Sequence, residues 1–222
     1  MRKILVVAPH PDDETLGVGG TLLRHARVGD ELHWLIVTAM SVESGFSPDR
    51  MKLRTAEIRA VASALGVAAT HQLGFAPGSL DVTPMSKLVE AIGEVVRATQ
   101  PETIYVPFRS DIHTDHAAAF DATVSCTKWF RFPSVRRVLA YETLSETDFN
   151  LRPSVGFSPT LFVDVTPFIE QKLRIMALYA SEMQAFPFPR SESALRSLAR
   201  VRGAACGCEA AEAFQLLREI QK

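Results

Sequence analysis

Near its start the sequence reads Ile4-Leu5-Val6-Val7 followed by Ala8-Pro9-His10-Pro11-Asp12-Asp13-Glu14. The apolar run predicts a buried strand, and the turn after it carries a histidine and three acids instead of glycines or small capping residues. In an α/β sheet, the turn that follows a strand lies where such folds bind their ligands. The stretch therefore predicts a metal site at the first strand-to-helix turn.

The rest of the chain continues this alternation of short strands and longer helical segments. Short β-branched runs alternate with segments of 3.6-residue period, which predicts an α/β class fold. We expect a Rossmann-like, mostly parallel sheet with helices on both faces. The length of 222 residues suits one core, so residues 1–222 are expected to form a single domain.

The expected elements can be bounded from caps, glycines and prolines. Strands are predicted at Lys3–Ala8, Leu32–Thr38, His71–Phe75, Thr103–Val106, Val138–Tyr141 and Thr160–Val165. Helices are predicted at 13–28, 47–66, 84–99, 113–130, 167–180, 191–201 and 208–220. The last of these makes the C-terminal tail helical.

Composition excludes several classes of protein. Hydrophobic residues make up 47% and charged residues 22%, which argues against disorder, collagen and a membrane span. The net charge of -1 gives no general attraction to nucleic acid. The start Met1-Arg2-Lys3 imitates a signal peptide, but residues 9–14 interrupt the apolar run, so a cytoplasmic location is expected. The cysteines at 126, 206 and 208 form no disulfide framework.

A second polar cluster, Asp111-Ile112-His113-Thr114-Asp115-His116, follows the fourth predicted strand. Because the carboxyl ends of parallel strands share one edge of a sheet, the two clusters can converge there. His10 and Asp13 then form a short-spaced pair, with His116 as a distant third ligand. Three nitrogen or oxygen ligands with one open position are typical of catalytic zinc. Fe2+, Co2+ and Mn2+ accept the same ligands.

With both clusters, the sequence resembles the PIG-L/LmbE-like family of zinc-dependent N-deacetylases. The mark of that family is a Pro-His-Pro-Asp-Asp-Glu turn and a later His-x-Asp-His. The resemblance extends to Arg54-x-x-Glu57, to the stretch from Val163 to Thr166 with Lys172, to Tyr179-Ala180-Ser181, and to Arg202-Gly203 before residues 211–214.

The resemblance implies roles for the residues of both clusters. His10, Asp13 and His116 are expected to bind zinc, and Asp12 to act as general base on the activated water. His113 is expected to stabilise the oxyanion as an imidazolium that Asp115 orients. The leaving amine takes its proton from Asp12 or from His113.

Two further residues are candidates for substrate binding. Arg54 matches a family position that contacts substrate, although an i,i+3 pair with Glu57 on an exposed helix face explains it equally well. Asp111 either lines the pocket or caps the following helix. Glu14 is expected only to support the N-terminus of the first helix.

These residues predict a hydrolase that removes an N-acetyl group from an amino sugar or a sugar-containing metabolite. The expected partner is a small N-acetylated molecule, such as a glycoside or nucleotide sugar. One alternative is a zinc amidase for a non-sugar N-acyl substrate, and another is a non-catalytic metal- or sugar-binding protein. Asp12 counts against the last, since holding a metal needs no second carboxylate. A homo-oligomer is possible, with the aromatic segment near Trp129 as a candidate interface.

Overall fold

A computed structural model describes residues 1–152 and 154–221. Its strands are β1 (Lys3–Ala8), β2 (Glu31–Thr38), β3 (Ala69–Phe75), β4 (Thr103–Pro107), β5 (Arg137–Tyr141), β6 (Leu161–Asp164) and β7 (Ala211–Glu219). Its helices are α1 (Asp13–Arg27), α2 (Pro48–Leu65), α3 (Met85–Thr99), α4 (Thr114–Ser125), α5 (Ile169–Met176) and α6 (Glu192–Cys206), with a short 3-10 helix at Thr166–Phe168 before α5.

The strands form one seven-stranded sheet in the order β3-β2-β1-β4-β5-β7-β6. The pairs from β3 to β5 are parallel, whereas β7 runs antiparallel to both β5 and β6. The predicted α/β class with a mostly parallel sheet is therefore confirmed. The order reverses between β1 and β4, the point at which open α/β sheets bind ligands.

Alternate residues of the central strand face two separate cores. On β1, Ile4 and Val6 belong to the core that also contains residues of α1, α2, α5 and α6. Leu5 and Val7 belong to the core formed with α3 and α4. Helices thus cover both faces of the sheet, as predicted.

Helix α1 packs unusually close to the sheet at Gly17. A Cβ atom there would lie 2.2 Å from the Cδ2 atom of Tyr141 on β5. The Tyr141 hydroxyl donates a hydrogen bond to the carbonyl oxygen of Val7 at 2.9 Å. A side chain at residue 17 would push the helix away. The glycine therefore helps hold the start of α1 against the carboxyl end of β1.

The predicted C-terminal helix is wrong. Residues Ala211–Glu219 form β7, which pairs with β5 on one side and β6 on the other. The carboxylate of Glu212 accepts hydrogen bonds from the backbone N–H groups of Gly20 and Thr21 and from Lys172 Nζ. These long-range contacts override the helix propensity of the Ala, Glu and Leu residues in the segment.

Several helix ends also differ from those predicted. Helix α4 ends at Ser125 and α5 at Met176, which is earlier than expected, whereas α6 extends to Cys206. In the portion of the chain that the structure describes, no helix has the length and apolar character needed to cross a membrane.

Candidate metal centre

The two polar clusters converge at one edge of the sheet. β1 and β4 are parallel neighbours, so the turn that enters α1 and the turn that enters α4 lie side by side. The ring centroids of His10 and His116 are 5.6 Å apart, and those of His10 and His113 are 4.5 Å apart. Residues a hundred positions apart thus share a single site.

His10, Asp13 and His116 place their ligand atoms within 4.8 Å of one another and could hold a metal ion. Asp13 Oδ2 lies 3.4 Å from His10 Nδ1 and 3.3 Å from His116 Nε2. Burial would raise the pKa of Asp13, but the two histidines hold it below its ordinary value. The carboxylate of Asp13 is therefore ionised, which is the form in which a carboxylate binds a metal.

His116 supplies an independent reason to place a cation here. Its Nε2 atom is buried and, although it lies 3.3 Å from Asp13 Oδ2, it forms no hydrogen bond with residues 1–152 or 154–221. An unpartnered buried nitrogen is costly unless something else satisfies it. A metal ion bound by Asp13 and His10 would do so, and the donor set of two imidazoles and one carboxylate suits a divalent transition metal.

Asp111 lies behind His116. Its Oδ2 is 2.7 Å from His116 Nδ1, and its Oδ1 accepts a hydrogen bond from the Thr147 hydroxyl at 2.6 Å. Asp111 is 2% exposed, so neither oxygen is available to a substrate. Asp111 was expected to bind substrate or to cap the helix, and in the structure its carboxylate contacts His116 and Thr147. The carboxylate fixes the ring orientation of His116, a candidate metal ligand.

Asp115 contacts a different histidine from the one expected. Its carboxylate lies 2.9 Å from His10 Nε2 and accepts backbone N–H groups from Gly78 and Leu80. Only its backbone N–H reaches His113, at 3.1 Å from Nδ1. Asp115 thus orients His10, which leaves His10 Nδ1 toward Asp13. A second group of His10, His113 and Asp115 also satisfies the distance criterion for metal ligands, but hydrogen bonds already occupy the Asp115 carboxylate.

His113 begins α4 as its N-cap residue. Because Nδ1 accepts the Asp115 N–H, the neutral ring carries its proton on Nε2. Burial and the neighbouring charge of His10 hold the pKa of His113 below its ordinary value. In this tautomer the neutral ring offers an Nε2–H donor. The imidazolium role implied by the resemblance stays a prediction.

Asp12 is 4% exposed and has a backbone φ of 131°, which non-glycine residues rarely adopt. Its N–H donates to Glu14 Oε2 at 3.0 Å. Strained backbone of this kind clusters at functional sites, where surrounding contacts enforce it. Burial and the adjacent Asp13 raise the pKa of Asp12 well above its usual value. A carboxyl group of this type can accept and return a proton.

Glu14 does more than support a helix. It is fully buried and also accepts hydrogen bonds from the hydroxyls of Thr15 and Tyr179, at 2.6 and 3.0 Å. Burial raises the pKa of Glu14 to about 7. The Glu14 side chain therefore connects the turn that contains the first motif to the segment after α5, through its hydrogen bond with Tyr179.

Arg54 lines the cavity of about 310 Å³ that contains His10, Asp12, Asp13 and His113. Its Nη1 donates to the Pro11 carbonyl at 2.8 Å, and its Nη2 pairs with the carboxylate of Glu182. The expected pair with Glu57 exists, at 3.1 Å, but it is buried and does not lie on an exposed helix face.

Four further polar residues line this cavity without having been predicted from the sequence, namely Thr143, Glu146, Glu182 and Arg190. Glu182 directly follows Tyr179-Ala180-Ser181, so the family-like stretch was a usable signal for it. The others lie in loops without a motif. A larger cavity of about 480 Å³ lies between α5 and α6, away from the histidine cluster.

The fold and the site together define an α/β protein that can hold a metal ion between histidine and aspartate ligands, beside a second buried carboxylate. The chain belongs to the PIG-L family, whose description is GlcNAc-PI de-N-acetylase, and the family match covers residues 5–127.

Individual relatives extend over nearly the whole chain. The diacetylchitobiose deacetylase of Thermococcus kodakarensis is 27% identical over 231 aligned residues, which cover 99% of this chain and 85% of that protein. The crystal structure of the conserved protein TT1542 from Thermus thermophilus matches with a TM-score of 0.80 and 27% identity, over 100% of this chain and 97% of that one.

The same fold also occurs in a protein with a different activity. The 4-carboxy-2-hydroxymuconate hydratase from Pseudomonas putida KT2440 matches with a TM-score of 0.74 and 18% identity, over 100% of this chain and 98% of that one. The fold therefore does not decide the reaction, and function has to be inferred from the site.

Proposed function

We propose that this protein is a zinc-dependent hydrolase that removes an N-acetyl group from an amino sugar or a sugar-containing metabolite. The observation that carries the proposal is the convergence of His10, Asp13 and the unpartnered Nε2 atom of His116 beside Asp12. The diacetylchitobiose deacetylase relative supports an N-acetylated amino sugar as the substrate.

His10, Asp13 and His116 would hold the ion. Bound zinc supplies Lewis acidity and lowers the pKa of water to about 7. Iron, cobalt and manganese suit the same donors. Asp111 behind His116 and Asp115 behind His10 keep both rings in position for this task.

Asp12 carries the proton transfers. Its carboxylate accepts a proton as the water oxygen attacks the amide carbonyl carbon, and it returns that proton to nitrogen as the C–N bond breaks. The products are acetate and a free amine. The buried surroundings that raise the pKa of Asp12 favour its holding the proton between these steps. His113 donates its Nε2–H to the carbonyl oxygen as negative charge develops there.

The cavity wall suits a small ligand rich in hydroxyl groups, such as a glycoside or nucleotide sugar. Arg54 and Glu182 offer charged donors and acceptors on the same wall, while their mutual pairing leaves no strong net charge. A non-sugar N-acyl amide is the alternative substrate. A binding protein without turnover would not need the Asp12 carboxylate, because the three expected ligands are sufficient to hold the metal.

We also propose that residues 1–222 act as one deacetylase domain. β5, β6 and β7 lie beyond the residues that match the family, and they complete the same sheet. That the protein is located in the cytoplasm and that it forms a homo-oligomer are still predictions.

The test is acetate release by the zinc-loaded protein from N-acetylglucosamine, N,N'-diacetylchitobiose and an N-acetylated amino acid. Wild type is expected to act on at least one of the sugars. Asp12→Ala should retain zinc and lose activity by about 10²- to 10⁴-fold, the usual contribution of general base catalysis. Asp49→Ala is the matched control, since the Asp49 side chain is 97% exposed.

Three outcomes would contradict the proposal. Absence of acetate release from every amide favours the binding protein. Release from the amino acid alone favours the non-sugar amidase. Full activity of Asp12→Ala removes Asp12 from the chemistry.

A further inference from the structure

Arg190 lies in the segment between α5 and α6, outside every motif of the sequence, and its side chain reaches the cavity. Its Nη1 donates to Asp12 Oδ2 at 3.3 Å. Among residues 1–152 and 154–221, no other side chain forms a hydrogen bond to the Asp12 carboxylate. The orientation of that carboxylate therefore depends on one guanidinium group.

Arg190 is itself held in place. Its Nη2 lies 3.5 Å from Glu182 Oε2, and its guanidinium carbon is 5.6 Å from the centroid of the Phe188 ring. Glu182 is in turn paired with Arg54 and with Arg50, both on α2. A chain of ion pairs thus connects α2 to the carboxylate of Asp12.

Asp12 needs such a partner because, in the described part of the chain, no second hydrogen bond fixes the direction of its carboxylate. Its backbone is strained at φ 131°, and its N–H bonds to Glu14 rather than to its own side chain. The next residue, Asp13, carries a like charge that repels it. A catalytic group displaced by about 1 Å can lose about 10²-fold in rate.

We propose that Arg190 is a positioning residue that holds the Asp12 carboxylate toward the reacting water. This inference rests on the proposed deacetylation. In this role Arg190 acts through Asp12 and does not bind substrate. The contact therefore affects the chemical step more than substrate affinity.

The experiment compares zinc-loaded wild type, Arg190→Ala, Arg190→Lys and Arg196→Ala on the best substrate. Arg196 is the matched control because it lies on α6 and pairs with Glu192 of the same helix and with Glu170 of α5. Arg190→Ala should lower kcat by about 10- to 100-fold with KM changed by less than about threefold. Arg190→Lys should retain part of the activity, and added guanidinium should restore part of the lost kcat of Arg190→Ala without activating wild type.

A second readout does not depend on activity. Crystal structures of wild type and Arg190→Ala should show the Asp12 side chain in different rotamers, about 120° apart at χ1. Equal zinc content and equal thermal midpoints would show that the variant is folded. If Arg190→Ala fails to fold, the Arg190→Lys variant carries the same comparison of kcat and rotamer.

Several results would overturn the inference. If wild type is active and kcat is unchanged in both Arg190→Ala and Arg190→Lys, the inference about Arg190 is refuted and the proposed function is not affected. A rise in KM at constant kcat makes Arg190 a substrate-binding residue instead. An unmoved Asp12 carboxylate also refutes it. Acetate release by no variant, wild type included, refutes the proposed function and this inference with it.

Discussion

Replacing Asp111 by alanine is expected to weaken zinc binding by about 10- to 100-fold, the range typical of carboxylates that orient a histidine ligand. Asp111 Oδ2 lies 2.7 Å from Nδ1 of His116, and the other nitrogen of that ring faces Asp13 in the candidate metal site. A hydrogen bond to a charged group contributes about 1.5–3 kcal/mol. At 1.36 kcal/mol for each factor of ten, that energy converts to about 10- to 150-fold in affinity.

Asp111→Asn refines the expectation. The amide oxygen can still accept from His116 Nδ1–H, but the negative charge is lost, so the effect should lie near the lower end of the same range, at about 10-fold. Thr147→Val removes only the 2.6 Å hydrogen bond to the other oxygen and should weaken zinc binding less than either change. Asp121→Ala, on the outer surface of α4, is the control.

The assay is competition for zinc against a chromophoric chelator, with circular dichroism to confirm that each variant is folded. A zinc affinity of Asp111→Ala within about twofold of wild type would refute the reasoning, because removing an orienting hydrogen bond should reduce metal affinity by more than that. Normal zinc affinity with a large rise in KM would restore the original expectation that Asp111 binds substrate.

The remaining predictions concern the fold. Gly17→Ala should destabilise the protein by about 3 kcal/mol or more in urea denaturation, because the added Cβ overlaps Tyr141; an unchanged midpoint would contradict the packing of α1. Glu212→Ala should lower the free energy of unfolding by about 3–5 kcal/mol in the same assay, since it leaves the buried Lys172 ammonium without its carboxylate. A decrease smaller than the one caused by Asp121→Ala would contradict this expectation. Burial raises the pKa of Cys126 to about 11, so native protein should alkylate there far more slowly than at the exposed Cys206; equal rates would contradict the burial.

The local signals of the sequence were sufficient for most of the fold. The apolar run before Pro9 predicted β1, and α2 ends at Gly66, as predicted, where the chain takes a φ of 73°. Proline at 48 started the same helix. These elements could be predicted because their boundaries depend on residues a few positions away.

The tail could not be predicted in the same way. Residues 211–219 have the composition of a helix, yet their partners are β5 and β6, many residues earlier in the chain. Phe214 is fully buried in the core, and Glu212 satisfies backbone groups of α1. Pairing at such sequence separation leaves no local signal, and it outweighs intrinsic propensity.

The candidate site was also predictable only in part. The two motif turns indicated which residues meet, because strand ends of a parallel sheet share an edge. They did not show which carboxylate orients which imidazole ring. In the structure Asp115 contacts His10, and Asp111 contacts His116. Arg190 reaches Asp12 from a loop whose path depends on tertiary packing, so no pattern in the sequence pointed to it.

We propose that His10, Asp13 and His116 hold a zinc ion. The most direct test of this proposal is a crystal structure of the zinc-loaded protein, with anomalous scattering measured at the zinc absorption edge. We expect one strong peak about 2.0–2.2 Å from a nitrogen of each histidine and an oxygen of Asp13. A peak bound instead by His113 and Asp115, or no peak at this edge of the sheet, would contradict it.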